Sequence, residues 1–436
     1  MDPVESISQS ELAASLSVAS HRRDFVNHED DKRDSIATEH ALMRDDPKEL
    51  LTRSEEAESR HRAGENVESQ HLWRRWEAPL YYPVVNDWIA EQNEEWLNEV
   101  HWPNGRSFAA CLTHDVDTLQ WNSHPELRRR IWAEVRHSRR PAQRIRNALG
   151  LAGLRKRPEY RDIFTPWVEL ENSYGFRSSF FFFPTRVSKR HAGDVFYRWD
   201  DTTCYQGEKV KAEEVVQDLH RLGWEVGLHA SVHASTTYDY LAEQKDDLER
   251  VTRGEVVSVR QHNLRFEAAV TPALHESAGF QTDSTLGFNF DIGFRAGIAY
   301  PFALWDSTQK HWLQIIELPL VLHDWAILAP EALALDEDWA FEICREIVRR
   351  VIRTKGVVCL LWHPHSVIWP AWWRLYERLL AYIAESNGWG ATAKEIRDWW
   401  VSQKLDVNLA ERLDQSNGKP IGTVRHRSPD IEGSNW

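Results

Sequence analysis

The chain has 436 residues, 42% of them hydrophobic and 28% charged, with a formal net charge of -14. It is long enough to bury a full core, as one large domain with tails or as two ordinary ones, and its acidity argues against a nucleic-acid binder, so no nucleic-acid partner is expected. Its four cysteines, Cys111, Cys204, Cys344 and Cys359, are widely separated and form no CxxC pair, which excludes a zinc ribbon or a disulfide framework, and no apolar run reaches the length of a membrane span.

Residues 1–64 are rich in Ser, Glu, Asp, Arg and His, the composition of a mobile polar arm. No apolar leader follows Met1, so a cytoplasmic protein is expected. Residues 65–106 form an aromatic-rich helical lead-in whose Trp73, Trp76, Trp88 and Trp96 suit packing on a larger body. The 22 Trp in all fit either heavy aromatic packing or surfaces for flat ligands such as sugar faces.

After the turn signal Pro103-Asn104-Gly105 the first strand, 107–112, runs into Thr113-His114-Asp115-Val116-Asp117. Side chains two apart on a strand share a face, so Asp115 and Asp117 point into one space. Two carboxylates there repel unless a cation or a shared proton sits between them. A basic insertion follows at 124–157, with Arg128, Arg129 and Arg130 set among Leu127, Ile131 and Trp132. It reads first as a solvated helical excursion and second as a contact for an anionic membrane surface at the inner face of the membrane.

From there strands at 178–183, 225–228, 256–259, 284–288, 314–320 and 357–362 alternate with helices at 213–222, 240–252, 331–353 and 369–384. The alternation predicts an α/β barrel or wound sheet over 107–403. Residues 404–436 read as a polar, disordered tail.

Parallel α/β architectures place their sites at the carboxyl ends of strands, and four strands here end in a chemical group: Asp115 and Asp117, His229, Arg260, and His363. His229 and His233 are four apart, a spacing that on a helical turn brings two imidazoles to one metal ion. Two His and one carboxylate leave positions open for water or substrate, as in catalytic metal sites; a non-haem iron centre uses the same ligand types. The second carboxylate is then free to act as general base, and His363 to protonate a departing nitrogen. His114 and His262 read as satisfied packing histidines.

In this order, Asp115 to Asp117, His229 to His233, Arg260 and Leu361-Trp362-His363 resemble the NodB-homology polysaccharide deacetylases, carbohydrate esterase family 4, in the subset with an Asp-Val-Asp first motif. The resemblance implies a distorted (β/α)7 barrel. It makes Asp115 the catalytic base, Arg260 the residue that holds it, His363 the acid, Asp283 a further acidic position of the site, and Asp117, His229 and His233 the ligands of one divalent ion, zinc ahead of cobalt or nickel.

The implied reaction is removal of an N-acetyl group from a sugar or lipid-linked glycan precursor. Trp369, Trp372 and His365 are the candidates for substrate contact. Ala230 stands where the family has Ser or Thr, and Arg260-Gln261-His262 stands where it has Arg-x-Pro, so a groove unlike that of a chitin deacetylase is expected. The alternatives are hydrolysis of a small non-sugar amide on the same site, and a catalytically silent barrel that binds glycan or membrane.

Overall fold

The computed structural model describes residues 47–52, 82–93, 95–119, 162–191, 193–330 and 332–415. Most of the N-terminal arm, Trp73 and Trp76, the basic insertion 124–157 and the end of the C-terminal tail lie outside the described residues.

The first strand, β1 (Phe108–Val116), is longer than the sequence suggests, and all nine of its residues are buried. It is followed by β2 (Ser179–Phe182), the hairpin β3 (Thr202–Tyr205) and β4 (Glu208–Lys211), then β5 (Glu225–Ala230), β6 (Ser258–Gln261) and β7 (Thr282–Asp283). Next come β8 (Phe302–Asp306), β9 (His311–Glu317), β10 (Leu320–His323), β11 (Val357–Leu361) and β12 (Gly388–Ala391). The main sheet runs in the order β10-β11-β1-β2-β5-β6-β7-β9-β8.

Every neighbouring pair in that sheet is parallel except β8 with β9, and β12 lies alongside the first half of β1. Only Leu318-Pro319 separates β9, which pairs with β7, from β10, which pairs with β11. Proline has no N–H to give to a ladder, so the strand bends there and changes partner. This one bent strand joins the two ends of the sheet, which curls into the distorted (β/α) barrel expected.

The helices outside the barrel follow the 3.6-residue period. Ala340, Ile343, Ile347, Val348 and Val351 of the helix Glu337–Arg353 face inward. That helix starts six residues later than Pro330 suggests, because the Asp336 side chain accepts a hydrogen bond from the Trp339 N–H and caps it there. The strand expected at 284–288 is only Thr282–Asp283, and the β8–β9 hairpin was not foreseen.

At the amino end of the barrel the helix Val84–Gln92 is clamped by Asn86, which accepts from the Ala299 N–H at 2.8 Å and donates to Thr354 Oγ1 at 3.0 Å. Trp102, Tyr300 and Trp400 stack beside it at 5.5 to 5.8 Å between ring centroids. The described tryptophans of this region therefore serve packing.

The expectation of a disordered tail from 404 needs correction. Leu405–Asp414 is a helix with Leu405, Leu409 and Leu413 buried, an apolar i, i+4, i+8 stripe within a polar composition. Among the described residues, no helix is long and apolar enough to cross a membrane.

Candidate active site

On β1 the odd-numbered residues face the barrel interior, and the interior face ends in Thr113 and Asp115. Arg260 arrives from β6, fully buried, with its donors spread over that face. Its Nη1 donates to Asp115 Oδ1 at 3.0 Å and to Thr113 Oγ1 at 2.7 Å, while Nε and Nη2 donate to the Ser284 carbonyl and hydroxyl, both at 2.7 Å. Its guanidinium lies 4.8 Å from the centre of the Phe181 ring. A guanidinium fixed on this many acceptors holds the Asp115 carboxylate in one orientation.

His229 is in register with Arg260 on the neighbouring strand. Its Nδ1 lies 3.1 Å from the Arg260 carbonyl, and its Nε2 faces Asp117 Oδ1 at 3.4 Å and Asp115 Oδ2 at 3.8 Å. Because Nδ1 must donate to a carbonyl, Nε2 is the nitrogen free to bind a cation. Burial disfavours the charge of His229, but the two carboxylates, Asp115 foremost, raise its pKa. Burial also disfavours the Asp117 anion, yet His229, His363 and His262 hold its pKa far below the carboxylate range.

Asp117 Oδ1 is buried and accepts no hydrogen bond of good geometry. Asp117, His229 and His262 each offer one ligand atom, all within 4.8 Å of one another. This cluster fits a divalent ion: the donors are one carboxylate and two imidazoles, set around an oxygen that no hydrogen bond satisfies.

His363 reaches the same space from the end of β11, with Nε2 3.5 Å from Asp117 Oδ2. Its Nδ1 lies 2.8 Å from Asp324 Oδ1, its backbone N–H donates to Asp324 Oδ2 at 2.9 Å, and the Ser366 hydroxyl also donates to Asp324. Burial opposes a charge on His363, but Asp324, with Asp117 and Asp115 beyond it, raises its pKa to about 9. Burial likewise opposes the Asp324 anion, and His363 brings its pKa down to about 2. His323, beside them, is pushed down to about 4, chiefly by burial. His323, Asp324 and His363 form a second group of close metal-type ligands.

Several sequence expectations are placed elsewhere. His233 is outside the Asp117 cluster. The spacing rule assumes a helical turn, but His229 lies on the extended β5 and His233 sits on the short turn Val232–Ser235, its ring 5.6 Å from that of His191.

Asp283 faces away from the interior. It is in register with Val259, whose neighbour Arg260 faces inward, so strand alternation sends Asp283 outward to His275 Nδ1, at 2.7 Å. Trp369 and Trp372 are 5% and 6% exposed and stack on each other at 5.9 Å, so their faces belong to the core rather than to a sugar. His365 lies 5.4 Å from His363 between ring centroids.

His114 is a satisfied packing histidine, its nitrogens 2.7 Å from the Trp362 carbonyl and 2.8 Å from Glu171 Oε1. His262, read the same way, is not: its buried Nδ1 makes no hydrogen bond, and Asp194 Oδ1 stands off at 3.6 Å. The residue missed altogether is Asp324. The signal is present, since the apolar run Leu320-Val321-Leu322 ends in His323-Asp324, much as β1 ends in its acids, but the strand expected from the sequence, 314–320, stops short of it.

No protein-family model matches the chain, and no curated protein does. Among solved structures it is similar to a Mycobacterium smegmatis protein assigned to the polysaccharide deacetylases, with 20% identity, a TM-score of 0.44, and coverage of 70% of this chain and 94% of that one. It is also similar to the allantoinase Puue, with 12% identity, a TM-score of 0.45, and coverage of 69% and 93%. A third likeness is to a Pseudomonas aeruginosa PAO1 protein, also assigned to the polysaccharide deacetylases, with 14% identity, a TM-score of 0.43, and coverage of 69% and 93%.

Proposed function

We propose that this barrel is a metal-assisted amide hydrolase that removes the N-acetyl group from a sugar or glycan precursor. The observation that carries the reading is Asp117 lying between His229 Nε2, at 3.4 Å, and His363 Nε2, at 3.5 Å, with Asp115 held beside it by Arg260. An anion so placed suits a cation on one side and a proton donor on the other.

Asp117 and His229 would hold a divalent ion, zinc first and cobalt or nickel next, which supplies a Lewis acid for the amide oxygen and lowers the pKa of water. Arg260 occupies Asp115 Oδ1 and leaves Oδ2 to take the proton of the attacking water. His363 gives its proton to the leaving nitrogen, so that the C–N bond breaks to acetate and a free amine. Through that transfer Asp324 keeps hold of Nδ1 and of the backbone N–H, so the ring stays aimed while its charge changes.

The test is acetate release from N-acetylglucosamine oligomers, phosphate-linked N-acetyl sugars and a panel of small amides, with zinc-loaded and chelator-stripped protein. Release from a sugar that stops on chelation is expected. Cleavage of small amides alone would replace the substrate, and no release from anything would overturn the reading.

A further inference from the structure

His262 follows directly on β6, two residues beyond Arg260, and opens the short turn His262–Leu264. Its ring is 5.1 Å from that of His229 at a steep 80°, and Phe183 packs edge-on against both rings. Behind it stands Asp194, only 6% exposed. Asp194 Oδ2 accepts from the His191 N–H at 2.7 Å, Oδ1 accepts from the Val232 N–H at 3.0 Å, and Oδ1 also lies 3.6 Å from His262 Nδ1. A carboxylate at one imidazole nitrogen draws the ring proton there and leaves the other nitrogen with its lone pair for a metal.

The setting of His233 is different. It is partly exposed, its ring stands 5.6 Å from that of His191, and it lies outside the group in which Asp117, His229 and His262 bring their ligand atoms within 4.8 Å of one another. From these two settings we infer that the third protein ligand of the ion is His262, aimed by Asp194, and that His233 lies outside the ligand set. This inference rests on the metal-hydrolase reading and changes the residues that complete its site. His262 donates its lone pair, and Asp194 is a positioning residue.

The test is binding of zinc alone, by competition with a chelating dye, and the visible absorption of bound cobalt, in wild type, His262→Ala, His233→Ala and Asp194→Asn. Far-UV circular dichroism checks that each variant is folded. Loss of an outer partner typically weakens binding 10- to 100-fold, so Asp194→Asn should cost roughly tenfold and His262→Ala more than about 100-fold, whereas His233→Ala should stay within about threefold. Asp194→Asn should also shift the cobalt absorption without changing the fold, which a merely structural role would not do.

A large loss in His233→Ala, or a folded His262→Ala that binds as wild type does, would overturn the inference. If His262→Ala does not fold, His233→Ala and Asp194→Asn decide it. These readings need no substrate, so they stand apart from the acetate assay. A wild-type protein that binds neither metal would instead sink the hydrolase reading itself.

Discussion

Asp324 shows how one side chain sets the working range of another. With its carboxylate on Nδ1, His363 holds its proton up to about pH 9. An acid must be protonated to act, so the basic limb of kcat/KM should lie near that value and activity should fall as pH rises through it. In Asp324→Asn the limb should move toward an ordinary imidazole value of about 6.5, with kcat reduced roughly 10- to 100-fold. A pH–rate profile that keeps its basic limb in this variant would remove His363 as the acid.

Individual residues differ in how well the sequence shows them. Asp115, Asp117, His229, Arg260 and His363 were legible because each ends an apolar run, and strand alternation alone puts them on one side. His233 stands apart from the Asp117 group because a four-residue spacing means proximity only on a helix, and Asp283 points outward because a one-residue step along a strand reverses the side chain. Trp369 and Trp372 misled because aromatic rings suit a sugar and a core equally, and composition cannot say which face the helix Pro370–Glu385 buries.

The elements around the site can be probed through their contacts. Gly227 on β5 faces Phe181, and a Cβ there would lie 2.5 Å from the ring carbons, with the Ser258 carbonyl 3.2 Å away. Since Phe181 lies under Arg260, Gly227→Ala should press the ring toward the guanidinium; we expect about 1–3 kcal/mol of lost stability from overpacking, together with reduced activity. Denaturant unfolding and turnover measured on the same preparation check both.

The helix Tyr238–Thr252 is tied to the loop at the barrel mouth by Asp247, which accepts from the N–H groups of Thr185 and Arg186, both at 2.9 Å, and from Trp199 Nε1 at 3.0 Å. Burial opposes the Asp247 anion, but these donors, Arg186 first, lower its pKa. A carboxylate whose pKa is lower folded than unfolded stabilises the fold above its unfolded value of about 3.9, and that contribution is lost as pH falls through the folded value. Asp247→Asn should therefore cost about 1.5–3 kcal/mol near pH 7, and the gap to wild type should close in acid. A gap that does not change between pH 7 and pH 3 would show that charge is not the cause.

The barrel as a whole was foreseen from alternating strands and helices, but its closure was not, because β9 and β10 read as one strand until their partners are known. Its extent was also underestimated. Leu409 is buried on the C-terminal helix, so Leu409→Ala should cost about 2–5 kcal/mol and lower the midpoint of the single unfolding transition. An unchanged midpoint would place that helix outside the cooperative unit.

The central claim is that the barrel hydrolyses an acetamide with Asp115 as base. It is tested most directly by acetate release from N-acetylated sugars, comparing zinc-loaded wild type with zinc-loaded Asp115→Asn at equal metal content. Acetate from wild type and a loss of roughly 100-fold or more in the variant is the expected result, the usual contribution of a general base being 10²–10⁴-fold. Equal release from the two proteins would contradict the account.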